Sequence, residues 1–485
     1  MPSPLRGLAL LALAASTATA GTLSVPVYRK ARADGIPPLT RRDGTINLQA
    51  LNNFTAGGYF AELGIGTPPQ NLVFQLDTGS SDTWANSLHA DLCGAWCLQT
   101  LDPNSSSTFK TVDRGGFDVT YLDRTHMLGD YFNDSVTITG KEVKNQKLGL
   151  ALQTTRETGI MGLGFSNNVA AREPYATIID NMVSQGIIEA PVFSLYLVYN
   201  LPSSSVTRII FSAGPELTMH ALPQNDVDAK SGTILFGGVD SQKYYGSLTT
   251  ISFLNVTQSH SKTSTSYTIH LDGVDVDGVG LRSLDAGAIL DSGSTVTLFP
   301  GGLARDIYKR FGVETIPILS IPLIDCAYRG GKGKGITFKF RFNGKTIIVP
   351  VDEMVLNIFN DDTQVGFQNS KYANQFKGWD NVCVFGIGST DDYDIKSDKF
   401  VLLGDSFLRS AYVVYDMANK QIGIAQANIN TDKSNIIEIK KGAKDLPNVA
   451  GVPEQNSAAG DLGQSMAAAA AGTFLMAVAA IVSTT

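Results

Sequence analysis

Cysteine is scarce in this chain, with four among 485 residues. A disulfide-dense scaffold is thereby excluded, so burial of apolar surface has to hold the body together. The five histidines are scattered, and the close Cys/His spacing of a zinc site is missing. No metal and no cofactor is expected. Charge is sparse as well: 17% of residues are charged, and 38 basic against 45 acidic side chains leave a formal net charge of −7. Without a surplus of Lys and Arg the chain cannot neutralise a phosphate backbone, so nucleic acid is not an expected partner. No Gly-x-Ser-x-Gly elbow and no His-Glu-x-x-His occurs, which removes the common signatures of serine hydrolases and zinc peptidases.

The two ends read as addresses. Residues 1–20 have Arg6, an apolar run from Leu8 to Ala15, and Ala18-Thr19-Ala20, the order of a secretory signal peptide. Residues 21–42 are basic and close on Arg41-Arg42, which predicts a pro-segment released at a dibasic site. At the other end the chain is apolar or small from Met466 to Val482, with no charge after Asp461. Small residues and a polar spacer precede that run, as in a GPI-attachment signal occupying 457–485, with Asn456 the candidate attachment residue. The polar stretch 431–456, with Lys433, Lys440, Lys441, Pro447 and Pro453, predicts a stalk. Sequons at Asn53, Asn104, Asn133 and Asn255 suit a secreted surface. In an oxidising compartment the four cysteines allow three connectivities; pairing neighbours gives Cys93–Cys97 and Cys326–Cys383.

Between these ends the chain is strand-rich. Tyr59–Ile65, Leu72–Leu76, Val136–Ile138, Phe193–Val198 and Thr337–Phe342 are heavy in Val, Ile, Phe, Thr and Tyr, with Gly, Asn, Asp and Pro between them. The best helix candidates are the stretches near Tyr175–Gln185 and Gly302–Phe311. The body is all-β, divided into lobes at 43–248 and 249–430.

One pattern occurs twice. Leu76-Asp77-Thr78-Gly79-Ser80 matches Leu290-Asp291-Ser292-Gly293-Ser294, each behind an apolar approach (Val73-Phe74 and Ala288-Ile289). A second echo follows each copy, Ile160-Met161-Gly162 and Leu402-Leu403-Gly404. Two copies about a domain length apart predict two similar lobes facing across a cleft. The glycine two residues after each Asp permits a tight loop that brings backbone N–H groups toward the carboxylate. The hydroxyls of Thr78, Ser80, Ser292 and Ser294 can donate to it or brace the partner loop. Two carboxylates at hydrogen-bonding distance cannot both ionise cheaply, so they share one proton.

On these blocks, with Phe60–Gln70, Leu76–Trp84, Gly159–Phe165, Ile234–Gly246, Ala288–Pro300 and Val401–Ala425, the sequence resembles the pepsin-type aspartic endopeptidases, and among them the GPI-anchored, yapsin-like group of fungi. The resemblance spans about Tyr59 to Ala427. It implies a bilobal β fold with one catalytic Asp per lobe, Asp77 and Asp291, their loops braced by Gly162 and Gly404. It implies polypeptide substrates and a water activated between the two acids. It also implies a flap hairpin whose Tyr121 is met by Trp84. The family commonly has glycine after that tyrosine, whereas this chain has Leu122-Asp123-Arg124. Asp123 would then hang over the cleft and favour a basic substrate residue, or else pair locally with Arg124. A monomer tethered to the cell surface through GPI lipid is expected.

Two weaker motifs and two rival functions fit the sequence less well. Asp272–Gly278 is misphased for a calcium loop and reads as a hairpin; Gly330–Gly335 lacks the Lys-Ser/Thr pair of a phosphate loop and reads as a loop. A non-catalytic peptide-binding relative is the alternative function, although both aspartates and their glycines are intact. A glycosidase would also use a carboxylate pair, but has no role for the repeated Asp-Thr/Ser-Gly.

Overall fold

A computed structural model describes residues 21–31, 57–93, 97, 99–197, 230–254, 266–316, 321–359, 361–429 and 431–453. The signal peptide, the Arg41-Arg42 site, the sequons at Asn53 and Asn255, Asn456 and the GPI-attachment signal lie outside them. No helix among the described residues is long and apolar enough to cross a membrane.

The secondary structure follows the local pattern. Strand Thr337–Phe342 buries Phe338, Phe340 and Phe342 on one face, the period-two alternation of a half-buried strand. Helix Gly301–Phe311 buries Leu303, Ala304, Ile307 and Phe311, carries Lys309 and Arg310 in its last turn, and stops at Gly312 in the left-handed region. The other predicted helix is shorter than expected, Ile178–Ser184, because Thr177 caps it and takes the Asp180 carboxylate on its own N–H.

Among the described residues the strands form two lobes joined by one continuous sheet. A thirteen-stranded sheet runs from the flap-side hairpin, Lys110–Thr120 with His126–Ile138, through Gln70–Asp77 and Gly57–Ile65 to the inter-lobe strands Val192–Leu197, Ala411–Asp416 and Gln421–Gln426. A seven-stranded and a four-stranded sheet make the second lobe. Each lobe contains the same unusual element. Gln70–Asp77 runs parallel to Gly159–Gly162, and Gly280–Leu290 runs parallel to Phe400–Leu403, so each Asp emerges beside the apolar-apolar-Gly echo of its own lobe. The Asp272–Gly278 segment is the expected hairpin, between strands Thr268–Val276 and Gly280–Leu290. Gly330–Gly335 is more ordered than a loop reading suggests: Gly333 is buried with the Tyr328 carbonyl against it.

Two terminal segments behave differently from their composition. Leu23–Ala31, inside the expected pro-segment, is an interior strand between Lys230–Phe236 and Gly57–Ile65, with Val25 and Val27 buried. Residues 431–453 are not a free stalk. Ile436–Glu438 pairs with Gly238–Asp240, Asp240 accepts from Ser434 Oγ and Asn435 N–H, and Ile439 and Leu446 are buried against Tyr244 and Tyr412. Composition misleads here because a few apolar residues among many polar ones suffice when a sheet back offers them an apolar surface. Leu446→Ala is expected to destabilise the protein by about 2–3 kcal/mol, read by denaturant unfolding. A free stalk would give a change within about 0.5 kcal/mol.

The cysteines are paired Cys93–Cys97 and Cys326–Cys383. Asn104 is exposed, whereas Asn133 is half-buried and donates from Nδ2 to Asn145 Oδ1 at 3.0 Å.

Candidate active site

The two Asp loops meet where the lobes join. Their side chains interlock with local two-fold symmetry. The Thr78 hydroxyl donates to the Leu290 carbonyl at 2.8 Å and accepts from Ser292 N–H at 2.9 Å; the Ser292 hydroxyl donates to the Leu76 carbonyl at 3.0 Å and accepts from Thr78 N–H at 3.2 Å. Four bonds of the same kind, two from each lobe, fix one loop against the other in a site nearly closed to water.

Each carboxylate is held identically. Asp77 Oδ1 accepts from Gly79 N–H at 2.8 Å and its Oδ2 from the Ser80 hydroxyl. Asp291 Oδ1 accepts from Gly293 N–H at 2.8 Å and its Oδ2 from the Ser294 hydroxyl at 2.8 Å. The two acids also lie on each other's loops. A Cβ on Gly79 would stand 2.6 Å from Asp291 Oδ1, and one on Gly293 would stand 2.3 Å from Asp77 Oδ1. Neither glycine has a positive φ. Turn geometry is therefore not what requires glycine here; the opposite lobe's carboxylate needs the space.

Burial pushes the Asp291 carboxyl up to about 7, reinforced by the neighbouring Asp77 charge and opposed by the bonds from Ser294 and Gly293. Gly162 and Gly404 back the two loops. Leu163 N–H donates to the Asp77 carbonyl at 2.8 Å, and Asp405 N–H to the Ser294 carbonyl at 2.8 Å. A Cβ at either glycine would fall within 2.4 Å of the adjoining loop's backbone.

The hairpin of Lys110–Thr120 and His126–Ile138 corresponds to the expected flap. Its tip is a turn in which Tyr121 N–H donates to the Thr125 carbonyl and Arg124 N–H to the Tyr121 carbonyl. The left-handed residue of that turn is Arg124, φ 65°, so Leu122 needs no glycine-like backbone and its side chain stands exposed. The Tyr121 hydroxyl accepts from Trp84 Nε1 at 2.7 Å. Burial raises its pKa well above the usual value, and the Asp77 charge adds to the rise. Asp123 does not pair with Arg124. It takes Arg156 at 2.8 Å instead, while Arg124 reaches Asp394 on the second lobe at 2.6 Å. Local sequence cannot show such a pairing, since Arg156 lies 33 residues further along the chain.

One buried carboxylate was missed. Asp82 accepts from the hydroxyls of Tyr131 (2.8 Å) and Tyr175 (2.7 Å) and from Ala170 N–H (2.6 Å). Both tyrosines belong to the apolar cluster that contains Trp84 and receives Tyr121; the position of Asp82 two residues before Trp84 was the only available signal.

A family model described as eukaryotic aspartyl protease matches residues 58–215 and 216–427. The chain belongs to this family. Among its relatives, the "Probable aspartic-type endopeptidase opsB" of Aspergillus oryzae is 30% identical over 90% of this chain and 85% of its own length. The acid protease of Saccharomycopsis fibuligera is 32% identical over 79% of this chain and 83% of its own length. Yapsin-3 of Saccharomyces cerevisiae is 28% identical over 90% of this chain and 78% of its own length. This aspartyl protease is accordingly an endopeptidase of the pepsin type with fungal, yapsin-like relatives, and its two β lobes are those of the pepsin fold.

Proposed function

We propose that this aspartyl protease hydrolyses peptide bonds with a water held between Asp77 and Asp291. The supporting observation is the reciprocal packing of each carboxylate on the other loop's glycine, which leaves the two acids sharing one proton. The proton is assigned to Asp291, whose carboxyl is pushed up by burial and by the Asp77 charge, which leaves Asp77 as the base. Asp77 takes a proton from the water as its oxygen adds to the scissile carbonyl carbon, and Asp291 gives its proton to the carbonyl oxygen. The tetrahedral diol then collapses: Asp77 gives its proton to the leaving nitrogen, Asp291 takes one back from a diol hydroxyl as the C=O re-forms, and the C–N bond breaks, which restores the original protonation state.

We read the substrate preference as basic near the scissile bond. Asp123 at the hairpin tip and Asp391, Asp392 and Asp394, in and just after the short helix Thr390–Tyr393 of the second lobe, support it. Arg156, Arg305 and Arg124 hold three of these carboxylates, and Asp392 has no cation at ion-pair distance among the described residues. The protein is read as exported by residues 1–20, matured after Arg42, and held outside the cell by GPI lipid near Asn456.

A statine-type transition-state mimic is expected to abolish cleavage, and a chelator to leave it unchanged. The reverse pattern would refute the dyad. With matched Lys, Arg and Leu peptides, Asp123→Ala is expected to lower the relative kcat/KM for the basic ones about tenfold; an unaltered ratio would remove Asp123 from recognition.

A further inference from the structure

The guanidinium of Arg156 has no role in the chemistry above, yet it stands at the junction of flap and floor. Its side chain is 17% exposed and that of its partner Asp123 24%. Nη2 donates to Asp123 Oδ2 at 2.8 Å, Nε to Thr125 Oγ1 at 3.2 Å, and Nη1 to Gln75 Oε1 at 3.3 Å. The guanidinium carbon lies 4.9 Å from the centre of the Tyr121 ring. Three of these four partners belong to the flap tip. The fourth, Gln75, sits two residues before Asp77 on the same face of strand Gln70–Asp77. Gln75 continues the connection across the lobes, since its Nε2 donates to the Gly293 carbonyl at 3.0 Å, and Gly293 N–H holds Asp291. The main chain of Arg156 is itself fixed: its N–H donates to Thr154 Oγ1 and its carbonyl accepts from Asn86 Nδ2, both at 3.0 Å.

We propose that Arg156 is a positioning residue for peptide hydrolysis. It ties the flap tip to the Asp291 loop through Gln75, and as the resident counter-ion of Asp123 it sets how strongly the site draws a basic substrate side chain. Only a planar fork of donors reaches Asp123, Thr125 and Gln75 at once while lying against an aromatic ring. A lysine supplies the charge without the fork. The inference rests on the peptidase reading and extends it, because a substrate cation at Asp123 has to compete with one the enzyme already carries.

The test is the kinetics of full-length secreted enzyme on paired Lys and Leu peptides, with active sites counted by a statine-type inhibitor. Arg156→Met is expected to lower kcat about tenfold on both peptides, and to raise the Lys-to-Leu ratio of kcat/KM about tenfold, the effect of one uncompensated charge at contact distance. Arg156→Lys is expected to keep the wild-type ratio but not recover kcat. Gln75→Leu, which alters no charge, is expected to lower kcat with the ratio unchanged; it carries the test should Arg156→Met fail to bind the inhibitor. Asp123→Ala with Arg156→Met is expected to return the ratio to within about threefold of wild type. Arg156→Met and Gln75→Leu enzymes that bind the inhibitor and keep both quantities within twofold of wild type would overturn the proposal. A wild type that cleaves Lys and Leu peptides equally refutes the basic preference alone, since the test reads the change in ratio on substitution.

Discussion

Asp291→Asn is expected to lower kcat by at least about four orders of magnitude while the fold is retained. The substitution is nearly isosteric: the amide oxygen can still accept from Gly293 N–H, and the Ser294 hydroxyl can reverse to accept from the new NH2. What disappears is the proton that the dyad shares. In the wild type that proton leaves as pH rises through about 7, where burial and Asp77 have pushed the Asp291 carboxyl, so cleavage should fall along an alkaline limb near that pH. Stability carries the same signature. An unfolded Asp titrates near 3.9, so between about pH 4 and 7 the native state binds more protons at Asp291 than the unfolded chain does. This group therefore disfavours the native state increasingly as pH rises through that window, and fully above it. Asp291→Asn should melt higher than wild type at pH 7.5 and show no such gain at pH 3.5. Equal melting differences at the two pH values, or turnover by the variant above about one ten-thousandth of wild type, would remove Asp291 from the proposed role.

Gly404→Ala is expected to cost about 3 kcal/mol or more and to reduce kcat about 100-fold. The added methyl would lie 2.3 Å from the Val296 carbonyl oxygen and 2.5 Å from that of Ser294. Both are backbone atoms of the loop that carries Asp291, and that loop is pinned from the same side by Asp405 N–H and Ser406 N–H, at 2.8 and 3.2 Å. The collision can be relieved only by moving the loop, which moves the carboxylate. Gly302→Ala is the control. Nothing lies within 4 Å of a Cβ there, the residue is in the first turn of a helix, and the change should stabilise by up to about 1 kcal/mol. Denaturant midpoints and active-site titration of the two variants, side by side, separate loop displacement from a general intolerance of glycine replacement. A Gly404→Ala enzyme as stable and active as Gly302→Ala would refute the bracing role.

The legible part of this protein was whatever its sequence repeats or punctuates. The doubled Asp-Thr/Ser-Gly with its apolar-apolar-Gly echo announced two lobes because each copy is a short contiguous element, a strand, a tight loop and a parallel neighbour, whose residue types are dictated locally. Alternating Phe338, Phe340 and Phe342 gave a strand for the same reason. Contacts between distant segments carry no such mark. Nothing near Asp123 points to Arg156 as its partner, nothing near Arg124 points to Asp394, and nothing in residues 431–453 or 23–31 says that a sheet will receive them.

Residue order alone therefore determined the β architecture, the two acid loops and the chemistry they can perform, since these depend on hydrogen-bonding groups a few positions apart. Tertiary structure alone decided why Gly79 and Gly293 must lack side chains, which cation holds the flap, and that both ends of the described body are packed against it. In each case the deciding atom comes from a segment far away in the chain, and a side chain's free energy depends on what surrounds it after folding.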